Sequence, residues 1–271
     1  MQRLQSHLDH FRRLDDLARA DSYIHRLHPA IKIATTLVFL ITLSSYAKYE
    51  VTGLLPLIFY PVALVTLGRL PLGYFAERLM FLAPFVVLLA IANPFLDRVP
   101  LLQWGGVTIT GGWVSFTSIV LRFLLAVTAV LALVATTGIH DVCSVLMRVG
   151  VPRILVLQLL LLYRYLSLLL EEAYRIEQAY LLRSGGSGKG IAPKVWGSLA
   201  GSLLIRTFAR AQKIYDAMLC RGFAGELRLL RPARMTAGSM AYLACWTAFI
   251  ICARMINIPE RIGILFRGVL G

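Results

Sequence analysis

The sequence predicts an all-α membrane protein, with about five transmembrane helices plus a cytoplasmic domain of two long helices and a short third helix. Three observations carry this. Of the 271 residues, 58% are hydrophobic and only 15% charged, which is too apolar for an ordinary soluble domain. The apolar residues gather in runs close to the length that a bilayer requires of a helix. The net charge is nevertheless +14, and the bases lie between those runs: six Lys/Arg up to Lys32, two in the loop Arg69–Arg78 and fourteen in 138–234. A basic balance can signal nucleic acid. Interleaved with apolar runs, it points instead to basic cytoplasmic parts of a membrane protein, and no nucleic-acid partner is expected.

In chain order, residues 1–29 read as an amphipathic cytoplasmic or interfacial arm, with Asp15, Asp16 and Asp21 among its bases and no signal-peptide core. Asp21 or Ser22 suits the cap of a short turn. His25 and His28 stand at metal-ligand spacing, but no third ligand lies nearby, so they read as polar surface residues. A membrane domain of four helices follows over 30–137. Its spans are expected at Ile31–Ala47, Val51–Gly68 (with Pro56 and Pro61), Leu79–Phe95 (with Pro84, ended by Asn93-Pro94) and Val114–Thr137. Between the last two, Trp104-Gly105-Gly106 and Thr110-Gly111-Gly112 flank an alternating Val107-Thr108-Ile109, the pattern of a small outer hairpin. Arg122 is the only base well inside an apolar run.

Residues 138–234 form the expected cytoplasmic domain. A short helix, His140–Val149, leads through Val151-Pro152 into a helix of about 31 residues. Arg153, Arg164, Glu171, Glu172 and Arg175 place that helix at or below the membrane surface, apolar though Ile154–Leu170 is. Ser184–Gly190 reads as a flexible linker. A second long helix starts near Pro193, a good first helical residue, and carries Arg206, Arg210 and Lys213. Residues 235–271 hold the last span, Met235–Ile256, and a tail. With the arm inside, charge places 98–113 outside and 138–234 inside. Cys143, Cys220, Cys245 and Cys252 show no metal or redox spacing and read as reduced.

The two long helices close in nearly the same letters. Arg175-Ile176-Glu177-Gln178-Ala179-Tyr180-Leu181-Leu182-Arg183-Ser184 matches Lys213-Ile214-Tyr215-Asp216-Ala217-Met218-Leu219-Cys220-Arg221-Gly222, with base, Ile, Ala, Leu and Arg recurring 38 residues apart. At 3.6 residues per turn, Ile176, Ala179 and Arg183 share one face, as do Ile214, Ala217 and Arg221. Each helix thus ends in an apolar stripe, a small residue permitting close approach and a guanidinium at the tip. Arginine followed by glycine also suits ordinary capping. Duplication of the whole pattern points instead to a duplicated socket, on two similar subunits or a pseudo-dimer.

Other chemistry is missing from the sequence. Gly185-Gly186-Ser187-Gly188-Lys189-Gly190 fails as a phosphate-binding loop, because Arg183 stands where the first glycine belongs and Gly190 replaces the Ser/Thr. No serine-hydrolase elbow or metalloprotease motif occurs. No pair of carboxylates lies inside the spans to couple a proton or cation. His140-Asp141 sits at a helix start, where capping accounts for it. The chain is therefore expected to be a non-catalytic subunit.

These residues resemble the transmembrane (T) component of energy-coupling factor transporters, ABC-type importers of vitamins and transition metals. The likeness covers nearly the whole chain. It rests on Asp21-Ser22, His25 to Lys32, Arg122, Thr136-Thr137, Val151-Pro152, Tyr163-Arg164-Tyr165 and, above all, the two arginine tips. The resemblance implies that the long helices cross beneath the membrane and insert their tips into two ATP-binding cassette ATPase subunits. The membrane domain would hold a substrate-binding S component, with a small accessory membrane subunit allowed. Arg183 and Arg221 would be the coupling arginines, with Ala179, Ser184, Ala217 and Gly222 allowing close approach. The tips read Leu182-Arg183-Ser184 and Cys220-Arg221-Gly222, where the family commonly has Ala-Arg-Gly. Arg122 would contact the S component or the protein interior, unless it snorkels outward. No cofactor is implied on this chain; ATP and Mg belong to the partner ATPases. The extended arm is more similar to the cobalt/nickel (CbiQ-type) branch, linked to cobalamin biosynthesis, than to the vitamin module. A bacterial cytoplasmic (inner) membrane location with the N-terminus inside follows. The rival of another class is a self-contained channel or secondary carrier, for which only Arg122 offers a polar path; an intramembrane enzyme lacks a nucleophile–base pair.

Overall fold

The computed structural model describes residues 18, 20, 22–48, 50–96, 100–104, 107–183, 193–223, 225 and 235–256. The protein is an all-α membrane protein whose only sheet, among the described residues, is one hairpin. Four helical stretches are long and apolar enough to cross a membrane: Leu72–Pro94, Gly111–Thr136, Arg153–Arg183 and Ala237–Met255. Two shorter apolar stretches are Pro29–Ser44 and Thr52–Leu67. The chain divides into two compact units, Leu17–Gly138 with Ala233–Gly271, and Met1–Asp16 with Ile139–Pro232.

The first unit begins with α1 (Pro29–Ser44), capped by His28, whose Nδ1 accepts the Ala30 amide at 3.2 Å. The expected second span is not one helix. It opens as two 3-10 turns, Thr52–Leu54 and Pro56–Ile58, and only then becomes α2 (Phe59–Leu67). Pro56 is the physical reason. It has no N–H to give to the Thr52 carbonyl, which takes the Leu55 amide at 3.2 Å instead.

Helix α3 (Leu72–Ala90) starts seven residues before the expected span, directly after Pro71. Charge marks where a helix enters the membrane, whereas Pro71 marks where helical backbone can begin. The helix then breaks at Ile91 and resumes as α4 (Ala92–Leu96). Pro94 cannot donate to the Ala90 carbonyl, and the Asn93 side-chain amide takes it at 3.3 Å. The hairpin follows, β1 (Pro100–Trp104) antiparallel to β2 (Val107–Thr110), with a register irregularity between Pro100 and Leu102.

Helix α5 (Gly111–Thr136) is the hub, packing against α1, α2, α3 and α4, while α9 (Ala237–Ile256) packs against α1. On α5, buried Ser115 and Ser118 and, two turns on, Leu125, Ala129, Ala132 and Thr136 follow helical spacing and are mostly small. Small side chains let apolar helices approach closely where no hydrophobic drive separates helix from lipid. Tyr60 of α2 is fully buried. Its hydroxyl shares a hydrogen bond with Thr36 of α1 at 2.8 Å, and its ring meets Phe39 at 4.7 Å and Trp246 of α9 at 5.1 Å.

The second unit contains α6 (Ile139–Val149), α7 (Arg153–Arg183, 31 residues) and α8 (Pro193–Cys220, 28 residues), with α7 packed on both others. Glycine ends α6: Gly150 sits at φ 98°, and the Val151 amide closes on the Leu146 carbonyl at 3.1 Å.

Candidate coupling site

The sequence pattern ends α7 at Arg183, followed by residues outside the described part of the chain, Ser184 among them. The α8 tip is described in full. Gly222 adopts φ 78°, a backbone that favours glycine. There the Gly222 amide donates to Leu219 and the Phe223 amide to Met218, both at 3.0 Å. Two backbone carbonyls that the helix leaves open are satisfied in this way, without any side chain. Capping at Arg221 is therefore real, but glycine and backbone perform it, and the guanidinium is not consumed by it.

At both tips the motif side chains are available. Ala179, Leu182 and Arg183 on α7 are exposed, as are Ala217, Cys220, Arg221 and Gly222 at the end of α8. Leu182, beside Arg183, is 81% exposed. Among the described residues, neither Arg183 nor Arg221 meets a carboxylate. Each tip thus offers a charged planar fork beside an alanine one helical turn back, a shape suited to a carboxylate-lined groove.

The two helices are tied by an ion pair. Arg206 Nη1 of α8 donates to Glu172 Oε1 of α7 at 2.7 Å. From it Arg183 lies eleven residues further along α7, about 16 Å at 1.5 Å per residue, and Arg221 lies fifteen residues further along α8, about 22 Å. Beside the pair runs an apolar groove of about 810 Å³ between α7 and α8, with Leu161, Leu168, Ile214 and Met218 in its walls. In the same unit Cys143 of α6 is buried, and burial pushes its thiol up.

Arg122 belongs to the other unit. It continues the buried stripe of α5 one turn beyond Ser118, and its Nη2 donates to the Ala47 carbonyl. Arg254 of α9 reaches the same segment. It donates to the Ser45 carbonyl and to Glu50 Oε2, both at 3.2 Å, and lies 4.4 Å from the Tyr46 ring centre. Two arginines from different helices thus grip the chain just after α1, through the Ala47 and Ser45 carbonyls of the turn that follows it.

The model of the family described as "CbiQ: Cobalt transport protein" matches residues 20–232 of this chain. The chain belongs to the CbiQ family. Among its curated relatives, the energy-coupling factor transporter transmembrane protein EcfT of Clostridium kluyveri is 23% identical, over 89% of this chain and 94% of its own length. The EcfT of Thermosediminibacter oceani is 29% identical, over 82% and 88%. The cobalt transport protein CbiQ of Salmonella typhimurium is 32% identical, over 46% and 56%. The likeness to the transmembrane component of an energy-coupling factor transporter, read from the sequence, holds.

For a CbiQ-family chain, two features here were not legible in the motifs. Lys32 is buried, and its Nζ donates to the Thr136 carbonyl at 2.6 Å. Glu50, Arg254 and Arg122 converge on one segment from positions 72 and 132 residues apart. The only local hint was charge standing where hydropathy argues against it. His25 and His28, the candidate metal pair, are engaged: His25 Nδ1 shares a hydrogen bond with Ser22 Oγ at 2.7 Å, and His28 caps α1. Among the described residues no group of three metal-ligating side chains occurs.

Proposed function

We propose that this chain scaffolds two ATP-binding cassette ATPases and couples them mechanically to a membrane S component, driving ATP-dependent uptake of a transition metal ion, cobalt or nickel. The observation that carries the reading is the duplicated tip: two long helices of one unit, tied by Glu172–Arg206, each closing in an exposed arginine beside a small residue. Each tip enters an acidic groove on one ATPase, with Ala179 and Ser184, or Ala217 and Gly222, leaving room for the partner. ATP and Mg stay on the ATPases, and this chain performs no bond chemistry. The family description and the Salmonella relative's name support cobalt as cargo. The relatives named EcfT carry no cargo in their names, which keeps a vitamin as the second reading. On the charge pattern, the arm and 138–234 face the cytoplasm of a bacterial inner membrane.

The experiment is the double variant Arg183→Ala/Arg221→Ala, expressed with its ATPases and S component. It should insert, retain the S component and lose the ATPases, and uptake of radioactive cobalt or nickel should stop. Normal retention of ATPases with normal uptake would show the tips to be simple helix ends. Uptake by the purified chain alone in liposomes would favour a self-contained carrier, and labelled vitamin uptake would reassign the cargo.

A further inference from the structure

The α7–α8 groove shares Lys213, Ile214 and Met218 with the end of α8 but contains neither tip arginine, and its chemistry is distinctive. Its walls are apolar, from Leu161 and Leu168 on one side and Ile214 and Met218 on the other. Its charged lining is lopsided. Arg206, Arg210 and Lys213 fall at i, i+4 and i+7 of α8 and so share one face. Glu172 is the one acid in that lining, and Arg206 already takes it at 2.7 Å. Arg210 and Lys213 are exposed and, among the described residues, meet no carboxylate. The α7 wall belongs to a helix whose apolar half is hydrophobic enough to cross a membrane, yet only 6% of that window is buried.

An apolar groove whose lining also carries cations that meet no carboxylate among the described residues fits an anionic amphiphile. We propose that the groove between α7 and α8 binds an anionic phospholipid, its acyl chain against Leu161, Leu168, Ile214 and Met218 and its phosphate on Arg210 and Lys213. Apolar walls alone would take any lipid; the paired cations select for negative charge, as basic pockets beside apolar helices do. Gln158, Tyr165, Thr207 and Tyr215 also line the groove, and an acidic protein segment seated on them is the rival occupant that photocrosslinking distinguishes. The lipid would fill the space between the two long helices and set how closely they approach.

The test is native mass spectrometry of the full chain in neutral detergent, with phosphatidylglycerol or phosphatidylcholine added. Phosphatidylglycerol should be retained in preference, and Arg210→Ala/Lys213→Ala should lower its retention roughly tenfold while leaving phosphatidylcholine binding and helical content unchanged. In parallel, a photocrosslinking residue at Leu168 in native membranes should couple to phospholipid. Equal retention of the two lipids, full retention by the double variant, or crosslinking to a polypeptide would each overturn the proposal. Arg183 and Arg221 are untouched in these variants, so failure here leaves the coupling reading standing.

Discussion

Lys32 Nζ donates to the Thr136 carbonyl at 2.6 Å, joining the first turn of α1 to the last residue of α5. A cation at a helix C-terminus is where the aligned peptide dipoles favour it, and burial removes competing water. Lys32→Met keeps the stem and deletes the charge, leaving an orphan carbonyl. The expected loss is about 1–3 kcal/mol, read as a lower thermal midpoint in detergent. Lys32→Arg should restore little of it, because the site is closed around a compact ammonium. An unchanged midpoint for Lys32→Met would remove the bond's structural importance.

Arg122 and Arg254 hold one short segment from two sides. In a cysteine-free background, Arg122→Leu should make a cysteine placed at Lys48 react several-fold faster with maleimide. Because both arginines secure the same backbone, Arg122→Leu/Arg254→Leu should deviate from additivity in stability by about 0.5 kcal/mol or more. Simple additivity with no change in labelling would mean the two grips are independent.

Single tip variants should behave differently from the double one. On the proposed coupling, truncating one partner of a largely desolvated charge pair would cost about 2–5 kcal/mol, while the other tip would keep the ATPases at high local concentration. Arg183→Ala or Arg221→Ala alone should therefore weaken ATPase retention in part while impairing uptake more. Arg→Lys should rescue incompletely, keeping charge but losing the fork. Full uptake in both single variants would argue against two coupled sockets.

Cys143 offers a pH signature. Burial raises its thiol, so the folded state holds that proton more firmly than the unfolded chain does. Stability tied to this residue is intact below the unfolded thiol value of about 8.5 and declines as pH rises above it. Cys143→Ala should flatten that alkaline slope. At pH 8 the exposed Cys220 should alkylate readily and Cys143 hardly at all, as mass spectrometry of labelled peptides would record.

Legibility followed the range of the interaction. Helix α8 runs from Pro193 to Cys220 because local rules govern its ends: proline at the start, and glycine, Gly222, soon after the stop. The hairpin was readable from its alternation and its glycines. The region around Pro56 was not, since hydropathy counts carbons and ignores a missing N–H; its backbone turns where the sum still reads as a span. Arg122 could be placed on the α5 stripe of Ser115 and Ser118 by counting residues, but its acceptor, 75 positions away, could not. The same holds for Lys32 and Thr136, 104 positions apart. Periodicity describes one helix at a time, and these bonds exist only once two helices have met.

The Glu172–Arg206 pair divides the long helices unequally. With about 16 Å from it to one arginine and about 22 Å to the other, a common rotation about that pair moves Arg221 roughly a third farther than Arg183. Two identical motors working against this chain would then experience different gearing. Asymmetry of the stroke would be built into a single polypeptide by four residues of extra arm, with no need for two kinds of ATPase.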